Sequence, residues 1–345
     1  MKRFFFFLLL AAQTSFLIAR DDDNKVPFMT KSLAGESVKS VEVLTSGGSI
    51  SVAGVNNDFK IEVYVTGNNN KTNLTKDEIQ ARINEKYDLN VSVSNNKLTA
   101  SAKPKKNMND WKDGLSFSFK LFVPANVAAE LKTSGGSINL NNLSGQLDFT
   151  TSGGSLHLDK ITGNTNGRTS GGSIHVFNSK NDIQLTTSGG SIEAKNCEGT
   201  LNLTTSGGSL SLTDLKGNIK AITSGGSING NSIERELVTH TSGGSIHLND
   251  LSCSLETSTS GGNIHIAILN PGKYIKISNS AGNVDLQLPK NKGVDLNLNA
   301  NKINTGTLES FNGKMNDEQV VGKLNGGGIP VTVNAGSGKI NLAFK

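Results

Sequence analysis

The chain has 345 residues, of which 35% are hydrophobic and only 5% aromatic, with 34 Lys+Arg against 29 Asp+Glu. Few large side chains argue against a thick globular core and fit small aliphatics filling a narrow one. Without Lys2 and Arg3 of the N-terminal leader described next, the basic count falls to 32. The small excess that remains is spread along the chain, which speaks against nucleic-acid binding.

Met1 to Ala19 reads as a secretory signal peptide: Lys2-Arg3, an apolar run Phe4 to Ala12, and Phe16-Leu17-Ile18-Ala19 ahead of Arg20 and three aspartates. Cleavage is expected after Ala19. The apolar run is short for a membrane span, and no cysteine follows it to carry a lipid. The expected destination is the periplasm, the outer surface or the extracellular space, with no transmembrane segment after cleavage.

Residues 20–132 contain one copy of a motif that dominates the rest of the chain, Thr45-Ser46-Gly47-Gly48-Ser49-Ile50. Alternating runs follow it, Phe59/Ile61/Val63/Val65, Leu89/Val91/Val93 and Leu115/Phe117/Phe119/Leu121/Val123, as expected of half-buried strands. Thr75 and Glu78 form a capping box that opens a helix lined by Ile79, Ile83 and Tyr87. The region is predicted to be the irregular start of a solenoid, with the helix laid over its side or end. The loop from Lys103 to Lys112 holds the only tryptophan, Trp111, a candidate for stacking on a ligand.

Over 133–276 the motif Thr-Ser-Gly-Gly-Ser/Asn-Ile/Leu recurs at Thr133, Thr151, Thr169, Thr187, Thr205, Thr223, Thr241 and Thr259, always 18 residues apart. A fixed period predicts one supersecondary unit stacked on itself. The sixth position of each unit is always apolar, from Ile138 to Ile264. The eighth is nearly so, the seventh is polar or His, and further apolar sites fall at the eleventh and fifteenth. These patterns predict an all-β fold, a single-stranded β-helix (β-solenoid) with 18-residue coils. Its handedness is left open by the period, and a right-handed coil is the preferred reading. The paired glycines mark a corner that needs either positive φ or close approach of neighbouring backbones. Calcium-binding rolls with two nonapeptides per coil are disfavoured, because only one Gly-Gly occurs per coil and no Asp recurs. After Thr259 the period relaxes, with a step of 20 residues to Asn279-Ser280-Ala281-Gly282-Asn283-Val284 and weak echoes at Ile303 and Ile340. Residues 277–345 are predicted to continue as irregular coils to the C-terminus, with no sorting domain.

The run Phe119-Lys120-Leu121-Phe122-Val123-Pro124, leading into Leu131-Lys132-Thr133-Ser134-Gly135-Gly136-Ser137-Ile138, resembles the strand-Pro-strand approach to Gly-rich coils in a bacterial adhesin-like domain of unknown function. That domain is related to the auto-transporter adhesin heads of Bacteroidetes-type secreted β-helix proteins. The resemblance covers nearly all of the mature chain and implies an exported, envelope-associated β-helix. It carries over no catalytic residues.

Four of the five histidines, His157, His175, His247 and His265, occupy the seventh position as two adjacent pairs. They are predicted to face outward one rung apart and, with Trp111, are the candidate ligand-binding residues. No acidic or sulfur third ligand appears at fixed spacing, so no metal is expected. The cysteines Cys197 and Cys253 fall three coils apart, roughly 14 Å, beyond the reach of a disulfide. No recurrent carboxylate pair or nucleophile elbow appears, and no cofactor or catalytic residue is assigned. The expected function is non-catalytic adhesion to glycans or surface glycoproteins. The alternatives are a structural envelope rod without a specific ligand and, less favoured, a polysaccharide-active enzyme.

Overall fold

A computed structural model describes residues 26–68, 74–105 and 114–345. The leader and Trp111 lie outside the described residues. The described chain is almost entirely β-structure, a solenoid of parallel strands with one helix, Lys76–Lys86. Each regular coil meets the next 18 residues further on, as Leu210 meets Ile228 and Ile219 meets Leu237.

The unit from Thr205 to Ile222 shows how the sequence produces this. Leu210, Leu212, Leu215, Ile219 and Ala221 are all buried, while Ser211, Lys216, Asn218 and Lys220 point to solvent. Alternation alone would make a flat strand, so bends are needed to close the coil. One bend lies at the tenth position, where Asn142, Lys160, Asn178, Asn196, Asp214, Ser232 and Asp250 all have φ between 51 and 56°. Asn and Asp enter this left-handed region at least cost among non-glycine residues. A second bend lies at the thirteenth position, with positive φ at Gly163, Gly199 and Gly217, and at Asn181 and Arg235 in other coils.

The Gly-Gly corner has a different cause. None of its glycines has positive φ. A Cβ added to Gly154, Gly172, Gly190, Gly208, Gly226 or Gly244 would stand 2.0–2.1 Å from the carbonyl oxygen of the matching glycine one rung before. The second glycine is therefore required by close approach of backbones, the other of the two reasons anticipated for it. The first glycine is not so confined, since a Cβ on Gly153, Gly171 or Gly207 would meet nothing nearer than 3.5 Å.

Threonine and serine lock the corner from either side. The buried Thr205 hydroxyl donates to the Gly190 carbonyl at 2.7 Å and accepts the Gly208 N–H at 3.3 Å. The same pair of bonds recurs at Thr151, Thr169, Thr187, Thr223, Thr241 and Thr259. At the fifth position the Ser137 hydroxyl accepts from the Ser155 N–H at 3.2 Å, and Ser155 does the same for Ser173. After the repeat breaks, Asn takes over both roles: Asn279 donates to Gly262, and Asn263 accepts from the Asn283 N–H.

Both ends depart from chain order. The isolated motif near the N-terminus is the next rung of the array, with Ile50 opposite Ile138 although 88 residues separate them. The intervening chain goes to the far side of that rung: Leu115–Pro124 pairs with Ile50–Val55, and Lys97–Pro104 with Ser40–Leu44. Antiparallel strands Met29–Ser32, Lys60–Gly67 and Tyr87–Ser94 finish this end and screen the parallel edge. The predicted capping box forms, and Ile79 and Ile83 are buried as part of the hydrophobic core. Tyr87 itself ends the helix in extended geometry and begins that strand; its ring packs 4.9 Å from Phe117.

At the C-terminus the last strand, Ile329–Phe344, is inserted between earlier ones. Its residues pair with Ile275–Asn279 and Val284–Leu288 on one side and with Val294–Thr305 on the other. The two weak echoes thus face each other, Ile340 lying between Val284 and Ile303. The strands here are stacked in an order the chain does not follow. Antiparallel Gln319–Leu324 and Phe311–Met315 close this end.

Candidate functional site: the outward ladders

Parallel, in-register pairing turns each outward position of the coil into a line of side chains running along the rod. The seventh position gives Asn139, His157, His175, Glu193, Ser211, Asn229, His247, His265, Asp285 and Asn341, each opposite the next. The four histidines expected to face outward as two pairs do so. His157 and His175 are stacked with centroids 5.0 Å apart and planes 2° from parallel; His247 and His265 are 6.5 Å apart at 36°.

Each pair ends on a carboxylate one rung further, at unequal sequence spacings. His175 Nδ1 lies 3.1 Å from Glu193 Oε2, and His265 Nδ1 lies 3.8 Å from Asp285 Oδ2. The second carboxylate is hidden in the sequence because it follows His265 by 20 residues instead of 18, after the loop that breaks the period. Asn341 donates to the same carboxylate at 2.6 Å from a strand 56 residues away, a contact no local pattern announces. Even so, the first and third members of each line stand about 10 Å apart, too far to share one ion with bonds near 2 Å. Among the described residues no group of three or more His, Cys, Asp or Glu could hold a metal. Partial burial, and then the charge of His175, push the His157 imidazole below its ordinary pKa.

Other rows pair internally as well. At the twelfth position Lys180 meets Glu198 at 3.7 Å and Lys216 meets Glu234 at 3.1 Å. At the tenth, the Asn196 amide donates to Asn178 at 2.6 Å, and Asn178 donates to Asp159, at the ninth position of the rung before, at 2.7 Å. Each such exposed ion pair contributes no more than about 1 kcal/mol, so these rows shape a surface more than they hold the rod together. The fifth histidine, His240, lies on the other broad face, 2.8 Å from Ser258 Oγ. The motif serines at the fifth position are engaged with backbone N–H groups of the next rung, a structural use of the hydroxyl.

Cys197 and Cys253 are free and buried. Cys197 fills the eleventh-position slot occupied elsewhere by Leu or Ile, as expected from the pattern. Burial raises both thiols, Cys253 to about 12.

Two solved structures align over most of the length of the chain. One is a "putative cell adhesion protein" from Clostridium sporogenes ATCC 15579, 12% identical, covering 92% of this chain and 98% of its own, with a TM-score of 0.21. The other is a "putative adhesin" from Bacteroides fragilis NCTC 9343, 13% identical, covering 91% and 96%, with a TM-score of 0.27. No curated protein matches the chain. Residues 172–343, the stretch that runs from the third regular coil to the inserted last strand, match the family described as Toastrack DUF4097, a β-solenoid-like domain of unknown function.

Proposed function

We propose that this chain is an exported, non-catalytic, adhesin-like protein that holds a repetitive partner, a polysaccharide or surface glycoprotein, through its outward ladders. The observation that carries this reading is the in-register repetition of polar side chains at the seventh and twelfth positions over successive rungs. A ligand that repeats on a similar length can meet many weak contacts at once, and the second contact is made at high effective concentration. His157, His175, His247 and His265 are the candidate contact residues on one face.

Excision of Thr205 to Ile222 tests the proposal. The cut joins Thr204 to Thr223 and removes one whole rung, so the remaining register is kept. The shortened protein should fold and bind a glycan or matrix-protein panel more weakly. Unchanged binding would place the site locally.

A second reading is a structural envelope rod without a specific ligand. The ladders that satisfy themselves across rungs, Lys216 with Glu234 and Asn178 with Asp159, favour it, because such groups have less to offer a partner. Tight envelope association, with binding unaffected by changes to any one outer row, would select it.

A further inference from the structure

The broad face made by positions twelve to eighteen holds an open groove of about 450 Å3 near the start of the regular array. Two rows line it. One carries Glu130, Asp148 and Asn166, the other Lys132, Thr150 and Arg168, each residue directly opposite the next one up. Members of a row are about 4.8 Å apart, and the rows are separated by two residues of strand, about 7 Å.

These side chains differ in what they have left to give. Lys132 donates to Glu130 at 2.7 Å, and this hydrogen bond holds the Glu130 carboxyl below the usual range, so that ion pair is closed on itself. Asp148 accepts from Gln146 and Asn166, both at 3.2 Å, which leaves lone pairs on a half-buried carboxylate free. The side-chain oxygen of Asn166 is buried without a hydrogen-bond partner and lies beneath the groove surface. Arg168 is exposed, and no hydrogen bond or ion pair occupies its guanidinium among the described residues. The groove therefore offers one free fork of cationic donors beside the remaining lone pairs of Asp148.

We propose that this groove is a subsite for an acidic sugar unit of a polysaccharide, its carboxylate held by Arg168 and its ring hydroxyls by Asp148 and Thr150. A planar guanidinium matches a carboxylate with two parallel hydrogen bonds. Sugar hydroxyls both donate and accept, so one ring can meet the acceptor row and Thr150 together. A polyphosphate or nucleic acid is disfavoured, because it brings charge but few donors to the carboxylates of Glu130 and Asp148. The inference rests on the binding reading above and names its ligand class and one local contact.

The test is calorimetric titration of the full chain with an oligomer of galacturonic acid and with its fully methyl-esterified form, which keeps the ring hydroxyls but replaces each carboxylate by a neutral ester. The native protein should bind the acid at least tenfold more tightly than the ester. R168Q, an exposed substitution, should lose at least tenfold for the acid, and K314Q, which removes the same charge on the distant hairpin strand Phe311–Met315, should stay within twofold. Equal affinity for acid and ester, no effect of R168Q, or no binding of either oligomer would overturn the assignment. Excision of Thr205 to Ile222 leaves this groove intact and separates the two ideas. Binding that falls on excision but ignores R168Q keeps the ladder reading and removes the subsite; the reverse pattern keeps the subsite and removes multivalency.

Discussion

A Cβ placed on Gly154 would stand 2.0 Å from the carbonyl oxygen of Gly136, whereas one placed on neighbouring Gly153 would meet nothing closer than 3.6 Å. The two glycines of each corner are thus unlike. Gly154→Ala must push two backbones apart across a hydrogen-bonded stack and should cost about 3 kcal/mol or more, as severe overpacking does. Gly153→Ala should stay within about 1 kcal/mol of the native protein. Urea unfolding of the two variants checks this; equal midpoints would mean that the rungs are not packed at the second glycine.

The first-position threonines should show the cost of a missing bond inside the rod. Thr205→Val keeps the shape but leaves the Gly190 carbonyl without its side-chain donor and the Gly208 N–H without an acceptor. A loss of about 1–3 kcal/mol is expected. Thr205→Ser keeps the hydroxyl and should recover most of it. If Val and Ser behave alike in thermal unfolding, the hydrogen bonds are not what the threonine supplies.

Inward and outward positions are separated by one residue at Ile192 and Glu193. Ile192 is fully buried, and Ile192→Asp forces an unpaired charge into the core, which should prevent folding or cost more than about 4 kcal/mol. Glu193→Lys gives up only an exposed contact to His175 and should change stability by less than about 1 kcal/mol. Circular dichroism melts distinguish the two.

The depressed pKa of His157 sets a direction with pH. Below the ordinary value of 6.5 the unfolded chain takes up this proton more readily than the folded one. The residue's contribution is therefore complete above that pH and is lost as pH falls through it toward the lower folded value. His157→Asn should make unfolding midpoints less sensitive to acid between about pH 7.5 and 5.5. An unchanged slope would show that His157 titrates the same way in both states.

Both thiols should be silent in the native state. With Cys197 and Cys253 buried and their pKa values raised, alkylation at pH 8 should modify neither until denaturant is added, when both react. Rapid native modification, read by intact mass, would contradict their place in the core.

The 18-residue period by itself determined the solenoid, its inward sixth and eighth positions and the outward histidine rows, because a repeat that cannot bury its apolar face alone has stacking as its one outlet. The sequence also named the paired glycines as a corner and Cys197 as a core residue. It could not choose between positive φ and close approach there: the deciding atom, the Gly136 oxygen for Gly154, belongs to the rung before. The same holds wherever partners come from distant segments. Ile50 joins Ile138 across 88 residues, the last strand enters between Val284 and Ile303, and Asp285 reaches His265 only after a change of period. The groove of Arg168 is likewise assembled from three rungs, each contributing two or three residues unremarkable in its own stretch of sequence. Periodicity records which way a side chain points; which side chains meet across rungs is set by the stacking order, and at both ends of this rod that order is not the order of the chain.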